Sequence, residues 1–250
     1  MIRTERLIKN YGGLVAVNDL NLDIPQGQFF AFLGPNGAGK TTTIKLLAGL
    51  LKPTSGRALV GGYDIQQDPV AARKIIGFVP DMPFLYDKLD PMEFMLFIGQ
   101  LYGMNRAEVV RSSDELFDVF DLNETRRQLI ENLSHGTRQR LVIASALLHE
   151  PKVIIIDEPM VGLDPRSARV VKNVLKQRSR QGVTVFLSTH ILSIAEELAD
   201  QVGILSRGRM IASGTIDQLQ EESGEGGDLE DVFLALTREE EEEGAAAGTP

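Results

Sequence analysis

The sequence predicts an α/β fold, and three observations carry that prediction. Apolar, β-rich runs alternate with segments of helical spacing along most of the chain. Residues 153–156 are four β-branched side chains without a polar break, the pattern of a strand buried on both faces. Hydrophobic residues make up 43% of the 250 and charged residues 24%, a globular balance that excludes a disordered chain.

In chain order, 29–33 reads as a buried strand that runs into a Gly-rich turn, and 42–51 follows with helical spacing. Residues 56–60 and 75–79 read as short strands. Residues 92–103 and 107–120 read as helices, so 84–150 is a mostly helical block that interrupts the alternation. Residues 166–181 have helical spacing and 183–187 is a second buried strand. Residues 201–205 and 209–213 flank Ser206-Arg207-Gly208, a hairpin signal. Residues 222–228 form a Gly-rich linker and 229–236 a short amphipathic helix. Residues 237–250 are expected to be an acidic, disordered tail.

The net charge of −9 belongs to the tail. Residues 221–250 hold 11 acids and one base, whereas 1–220 hold 24 acids and 25 bases. A neutral body offers no basic field for nucleic acid. No apolar run nears the roughly 18 residues of a bilayer span. The N-terminus MIRTERLIKN is too polar for a signal peptide. With no cysteine, disulfides, Cys–Zn sites and thiol nucleophiles are excluded, and three scattered His give no sign of a Zn site. The expectation is a cytosolic protein.

Gly34-Pro35-Asn36-Gly37-Ala38-Gly39-Lys40-Thr41 fits the pattern G-x-x-x-x-G-K-[ST]. Its glycines let the backbone curl so that N–H groups converge on an anion, and the helix that follows adds partial positive charge. Lys40 can reach the β- and γ-phosphates, and the Thr41 hydroxyl can ligate Mg²⁺. A chance match in a chain of this size is roughly one in a hundred at average Gly usage. A second candidate site ends the 153–156 strand. Asp157 is placed to hold Mg²⁺ and Glu158 to polarise an attacking water, with strand alternation sending them to different partners.

Further motifs follow in a fixed order. Leu133-Ser134-His135-Gly136-Thr137-Arg138-Gln139 precedes a helix. Asp157-Glu158, Gly162-Leu163-Asp164-Pro165 and His190 come next. Together these resemble the nucleotide-binding subunit of ABC transporters over about residues 2–236. The resemblance implies a P-loop NTPase core with a mainly parallel sheet, an N-terminal antiparallel β subdomain and an inserted helical subdomain. It implies one ATPase domain over 1–236 and ATP bound at Gly34, Pro35, Asn36, Gly37, Ala38, Gly39, Lys40, Thr41 and Thr42, with Tyr11 stacked on adenine. Leu133, Ser134, His135, Gly136 and Thr137 would be a signature gripping the γ-phosphate of ATP on an opposing protomer, and Asp164 a D-loop residue tuning that interface. Glu158 and His190 would be catalytic.

Residues 229–236, LEDVFLAL, resemble a C-terminal segment of the ABC-2 exporter branch. Two departures stand out. Asp81 occupies the position where the family has a Gln that ligates Mg²⁺ and couples to the membrane partner, and Thr137 replaces the usual signature Gln. The implied partners are an integral membrane permease, with 82–105 as the docking face, and a second ATPase subunit, identical or paralogous. The implied location is the inner face of the cell membrane. His135, in the signature loop, and His149, at a helix end, are expected to carry no chemistry. The alternative is a soluble ABC ATPase. DNA repair and chromosome maintenance lack their coiled-coil heptads here, but Fe–S cluster assembly stays open. Intact Glu158 and His190 speak against a non-hydrolysing regulator, and no N/TKxD motif marks a GTPase.

Overall fold

The computed structural model describes residues 1–82, 84–224 and 227–247, with side chains as far as Arg238. Pro83 of the expected docking stretch, residues 225–226 of the expected linker and the last three residues of the expected tail lie outside the described residues. The chain starts with β1 (Ile2–Tyr11) and β2 (Leu14–Ile24), then β3 (Phe29–Leu33) and α1 (Lys40–Leu47). β4 (Ser55–Val60), β5 (Tyr63–Asp64), α2 (Pro69–Lys74) and β6 (Ile76–Val79) follow. The helical block holds α3 (Pro91–Leu101), α4 (Arg106–Phe120), two 3-10 turns and α5 (His135–Leu147). The second half runs β7 (Val153–Asp157), α6 (Pro165–Arg180), β8 (Thr184–Ser188), α7 (Leu192–Leu198), β9 (Gln201–Ser206), β10 (Arg209–Gly214), α8 (Ile216–Ser223) and α9 (Leu229–Ala247).

Two sheets form. The larger has the order β10-β9-β3-β8-β7-β6, parallel throughout except for the β9–β10 hairpin at one edge. The smaller, β2-β1-β4-β5, is antiparallel. The hairpin turns on Arg207 and Gly208, with φ of 45° and 82°, the positive pair a two-residue primed turn requires.

Local chemistry sets the helix starts. Asp90 with Glu93, and Asn105 with Glu108, form reciprocal capping boxes at α3 and α4. Asp164 caps α6 ahead of Pro165. α1 lies between the two sheets: Ile44, Leu46 and Leu47 share one apolar cluster with Ile2, Leu7 and Leu20 on one side and Phe30, Phe32 and Phe186 on the other. The opposite face of the large sheet packs on α3–α6. Phe117 and Phe120 there belong to the same cluster as Ile154, Ile156 and Leu187, so the helical block shares the core of the sheet.

The C-terminal end differs from expectation. α9 runs to Ala247, past the expected end at 236 and through most of the stretch expected to be disordered. The run of Glu and Ala there is acidic and of low complexity, yet both are strong helix formers, so composition alone misjudged it. α1 is shorter than 42–51 because Gly49, at φ +69°, ends it.

Candidate nucleotide-binding and hydrolysis site

β3 carries five fully buried residues straight into the Gly34–Thr41 loop, which opens α1. No side chain caps α1, so its first-turn N–H groups face the loop, the arrangement that attracts an anion. Gly39 adopts φ +109°, and a Cβ there would overlap the Ala16 carbonyl oxygen. Only glycine lets the loop pass this close to β2. Lys40 is 7% exposed. Its ammonium donates to the carbonyls of Gly34 at 2.6 Å and Pro35 at 3.2 Å. Burial lowers its pKa, and the charges of Glu158 and Asp157 oppose that shift.

The loop forms one side of a cleft of about 330 Å³. Tyr11, Asn36, Gly37, Gly39, Lys40, Thr41, Thr42, Asp81, Asp157 and Glu158 line it, as do Leu14 and Ala16, which no motif marked. Residues more than 140 positions apart meet here because ligand sites in open α/β sheets form at the carboxyl ends of the strands. Tyr11 leaves its ring half exposed at the rim, with the Lys9 ammonium 5.0 Å from the ring centre.

Asp157 and Glu158 reach different partners, and strand alternation is not the cause. β7 ends at Asp157, and Glu158 turns out of the strand at φ +49°. Asp157 is 2% exposed, and its Oδ1 accepts from Ser188 Oγ at 2.6 Å. Strand register pairs these two residues across β7 and β8. Sequence reading missed Ser188. The available signal was a hydroxyl at the end of a second buried strand. Glu158 Oε1 meets His190 Nδ1 at 2.9 Å, while Oε2 is buried with no hydrogen bond among the described residues.

The remaining candidates sit apart from this cleft. Ser134 caps α5, with Thr137 N–H donating to its Oγ at 3.2 Å. A Cβ on Gly136 would lie 3.8 Å from Asp164 Oδ2, so the signature and the D-loop adjoin. His135 is exposed, and its ring packs on Gly162: a Cβ there would stand 2.8 Å from Nε2. Hydrogen bonds from the Ser167 hydroxyl and backbone hold the Asp164 carboxyl below its usual pKa. Thr137 is buried, with its Oγ1 2.8 Å from Ser134 Oγ.

No group of three or more His, Cys, Asp or Glu side chains among the described residues converges on a metal position. The cleft offers instead the Thr41 hydroxyl and the carboxylates of Asp157 and Asp81. Few, hard oxygen donors beside a phosphate loop are the set that suits Mg²⁺, which takes its other ligands from phosphate and water.

A phosphate loop with a buried aspartate and a carboxylate–imidazole pair beside it defines a nucleoside-triphosphatase. Residues 17–161 match the ABC transporter family. The chain is 38% identical to the linearmycin resistance ATP-binding protein LnrL of Bacillus subtilis, over 86% of this chain and 69% of that one. It is 36% identical to the bacitracin transport ATP-binding protein BcrA of Bacillus licheniformis, over 88% and 71%. The solved ATP-binding subunit of an ABC transporter superposes with a TM-score of 0.90 at 32% identity, covering 95% of this chain and 99% of that one. A dimeric cassette in a post-hydrolysis state, bound to ADP and Pi, gives 0.79 at 27% identity, covering 86% and 98%. The chain belongs to the ABC transporter family. It is an ATP-binding, ATP-hydrolysing subunit with the P-loop α/β fold.

Proposed function

We propose that this chain powers export through a separate membrane permease, working as one of two ATPase subunits that close around ATP and Mg²⁺. The observation that carries the catalytic assignment is the Glu158–His190 pair, whose buried Glu158 Oε2 has no hydrogen bond among the described residues, in the cleft that Lys40 and Thr41 also line. In this reading the N–H groups of the loop and the Lys40 ammonium hold the β- and γ-phosphates. Tyr11 stacks on the adenine. Glu158 orients the attacking water and takes its proton, and His190 holds the Glu158 carboxylate and contacts the γ-phosphate. Thr41, Asp157 and Asp81 would hold Mg²⁺, which when bound neutralises phosphate charge.

Ser134 and Gly136 grip the γ-phosphate of ATP on the opposing subunit, which is why they lie outside the chain's own cleft. ATP then favours the closed pair, and hydrolysis removes the bridge. No helix among the described residues is long and apolar enough to cross a membrane; in this reading the permease is a separate chain. Met82 and Phe84, 83% and 81% exposed, with Tyr86 beside them, form the face proposed to dock it, at the inner side of the membrane. LnrL and BcrA are named for resistance and transport, which favours export over Fe–S assembly.

Glu158→Gln tests the reading. The variant is expected to bind ATP, to lose at least roughly a hundredfold in turnover, and to form a stable dimer in Mg-ATP. A monomeric variant at saturating Mg-ATP rejects the paired arrangement. The same tagged protein, recovered from native membranes, is expected to carry a polytopic membrane protein in stoichiometric amount. Recovery of soluble partners alone rejects the permease.

A further inference from the structure

We infer that Asp87 and Arg138 are positioning residues that clamp the start of α5 to the proposed docking segment, so that a permease seated on Phe84 and Tyr86 acts on Ser134. The inference rests on the readings above that this face meets the permease and that Ser134 meets ATP on an opposing subunit. It adds a mechanical link between the two surfaces that passes through neither Asp81 nor the chain's own cleft.

The link runs bond by bond. The Phe84 ring stands edge-on to Tyr86, with ring centres 5.9 Å apart. Tyr86 stands edge-on to Phe97 of α3 at 5.2 Å, and tilted at 6.5 Å to Phe94, which is buried. The exposed aromatic face is therefore footed on α3, and the next residue in the chain is Asp87. From 87 to 89 the backbone is laced to the segment just before Ser134. The Glu131 N–H donates to the Asp87 carbonyl at 3.1 Å, and the Ile130 N–H to the Leu89 carbonyl at 2.9 Å. Arg138 closes the clamp: its Nε donates to the Ile130 carbonyl at 3.1 Å and its Nη2 to Asp87 Oδ1 at 2.5 Å. Arg138 lies in the first turn of α5, and its own N–H donates to the Ser134 carbonyl at 2.9 Å.

An exposed ion pair alone is a slack joint, worth little. The Asp87 side chain is 56% exposed and the Arg138 side chain 31%, so the stiffness has to come from elsewhere. Two features supply it. Nε and Nη2 sit on one edge of a planar group, so the bond to the Ile130 carbonyl also fixes where Nη2 points. The two backbone bonds hold 87–89 and 130–131 side by side, and a second ion pair, Lys88 to Glu131 at 2.6 Å, spans the same two segments. A displacement at 86–87 therefore moves Ile130, Arg138 and the start of α5 together, because bonds rather than free chain join them. The Ser134 hydroxyl and the unpaired N–H groups of the first turn ride on that helix start.

The test uses the full-length Glu158→Gln protein, with ATP-driven dimerisation read by sedimentation velocity in Mg-ATP. Nucleotide affinity of the monomer and thermal midpoint serve as controls. Asp87→Asn and Arg138→Gln are each expected to weaken the dimer roughly two- to fivefold, with both controls unchanged. The double variant is expected to be no weaker than the worse single one, because the two side chains act through each other. Asp87→Glu keeps the charge and is expected to dimerise like the parent; it decides the matter should Arg138→Gln lower the thermal midpoint. In vesicles carrying the co-purified permease, with Glu158 intact, Asp87→Asn is expected to lower the stimulation of turnover by a similar factor. If Ser134→Ala weakens the dimer and neither single variant does, the clamp is rejected and the opposing-subunit reading stands. Losses that multiply in the double variant, a loss in Asp87→Glu equal to that in Asp87→Asn, or an unchanged stimulation factor in Asp87→Asn each overturn the inference. If Ser134→Ala dimerises normally, or no membrane protein co-purifies, the underlying reading fails and takes the inference with it.

Discussion

Asp81 and Ser188 show how much one side chain decides at this site. Asp81 lines the cleft with Lys40, Thr41 and Asp157, and it is a carboxylate where the family has an amide. A negative charge there adds repulsion toward the phosphates and toward Asp157, and a Gln would remove it. Asp81→Gln is expected to keep ATP binding and to change the factor by which the permease stimulates turnover. Equal stimulation of the two proteins rejects that coupling role. Ser188 acts through its bond to the buried Asp157. Its removal leaves the carboxylate free to turn. Ser188→Ala is expected to weaken the apparent Mg²⁺ affinity of ATP hydrolysis roughly tenfold, read as the Mg²⁺ midpoint at fixed ATP. An unchanged midpoint means the hydroxyl does not orient Asp157.

At the scale of elements, the joint between the helical block and the sheet is sensitive to pH. Tyr102, which ends α3, and His149, which follows α5, stack with ring centres 3.6 Å apart. Both reach the Ile76 carbonyl on β6, His149 through Nε2 at 3.2 Å and Tyr102 through its hydroxyl at 3.4 Å. With Nε2–H donating, Nδ1 is the bare nitrogen, and it is buried without a partner among the described residues. Protonation would bury an unpaired N–H, so desolvation lowers the His149 pKa from 6.5 to about 4. Between these values the unfolded chain binds more protons than the folded one. Stability therefore rises with pH across that window and is lost as pH falls from about 6.5 toward 4, by at most about 3 kcal/mol. Urea midpoints at pH 7.5 and pH 5 are expected to differ less in His149→Gln than in the parent. An equal difference in both places the acid sensitivity elsewhere.

For the whole molecule, the last helix packs under one half of the large sheet, against β3, β9, β10 and α7. Leu229 and Val232 of α9 are fully buried in one cluster with Ala31 and Leu33, which precede the phosphate loop, and Ala195 of α7, which follows His190. Glu196 Oε1 accepts from the Leu229 N–H at 2.6 Å. A chain ending at 228 loses this wedge and is expected to lose roughly 3 kcal/mol or more of stability. A chain ending at 236 keeps it and is expected to match the full chain in stability and in permease-stimulated turnover. Chemical denaturation and ATPase assays decide both. A large loss from the shorter deletion would assign the acidic segment a role of its own.

The motifs and the buried strands were legible in the sequence because each is local. Gly34–Thr41 needs its glycines and its lysine at fixed spacing whatever surrounds it, and 153–156 reads as a central strand because both its faces are apolar. The hairpin at Arg207-Gly208 declared itself through its turn residues. Pairings across distance were not legible. Register between β7 and β8 brought Ser188 to Asp157, and β2 placed Leu14 and Ala16 at the cleft. The end of α9 also escaped, because acidity and low complexity resemble disorder while helix propensity opposes it. Tertiary packing alone placed Arg140 between the end of α4 and Thr137. That placement depends on α4 presenting two carbonyls to Arg140, and no spacing within 133–140 encodes where α4 ends.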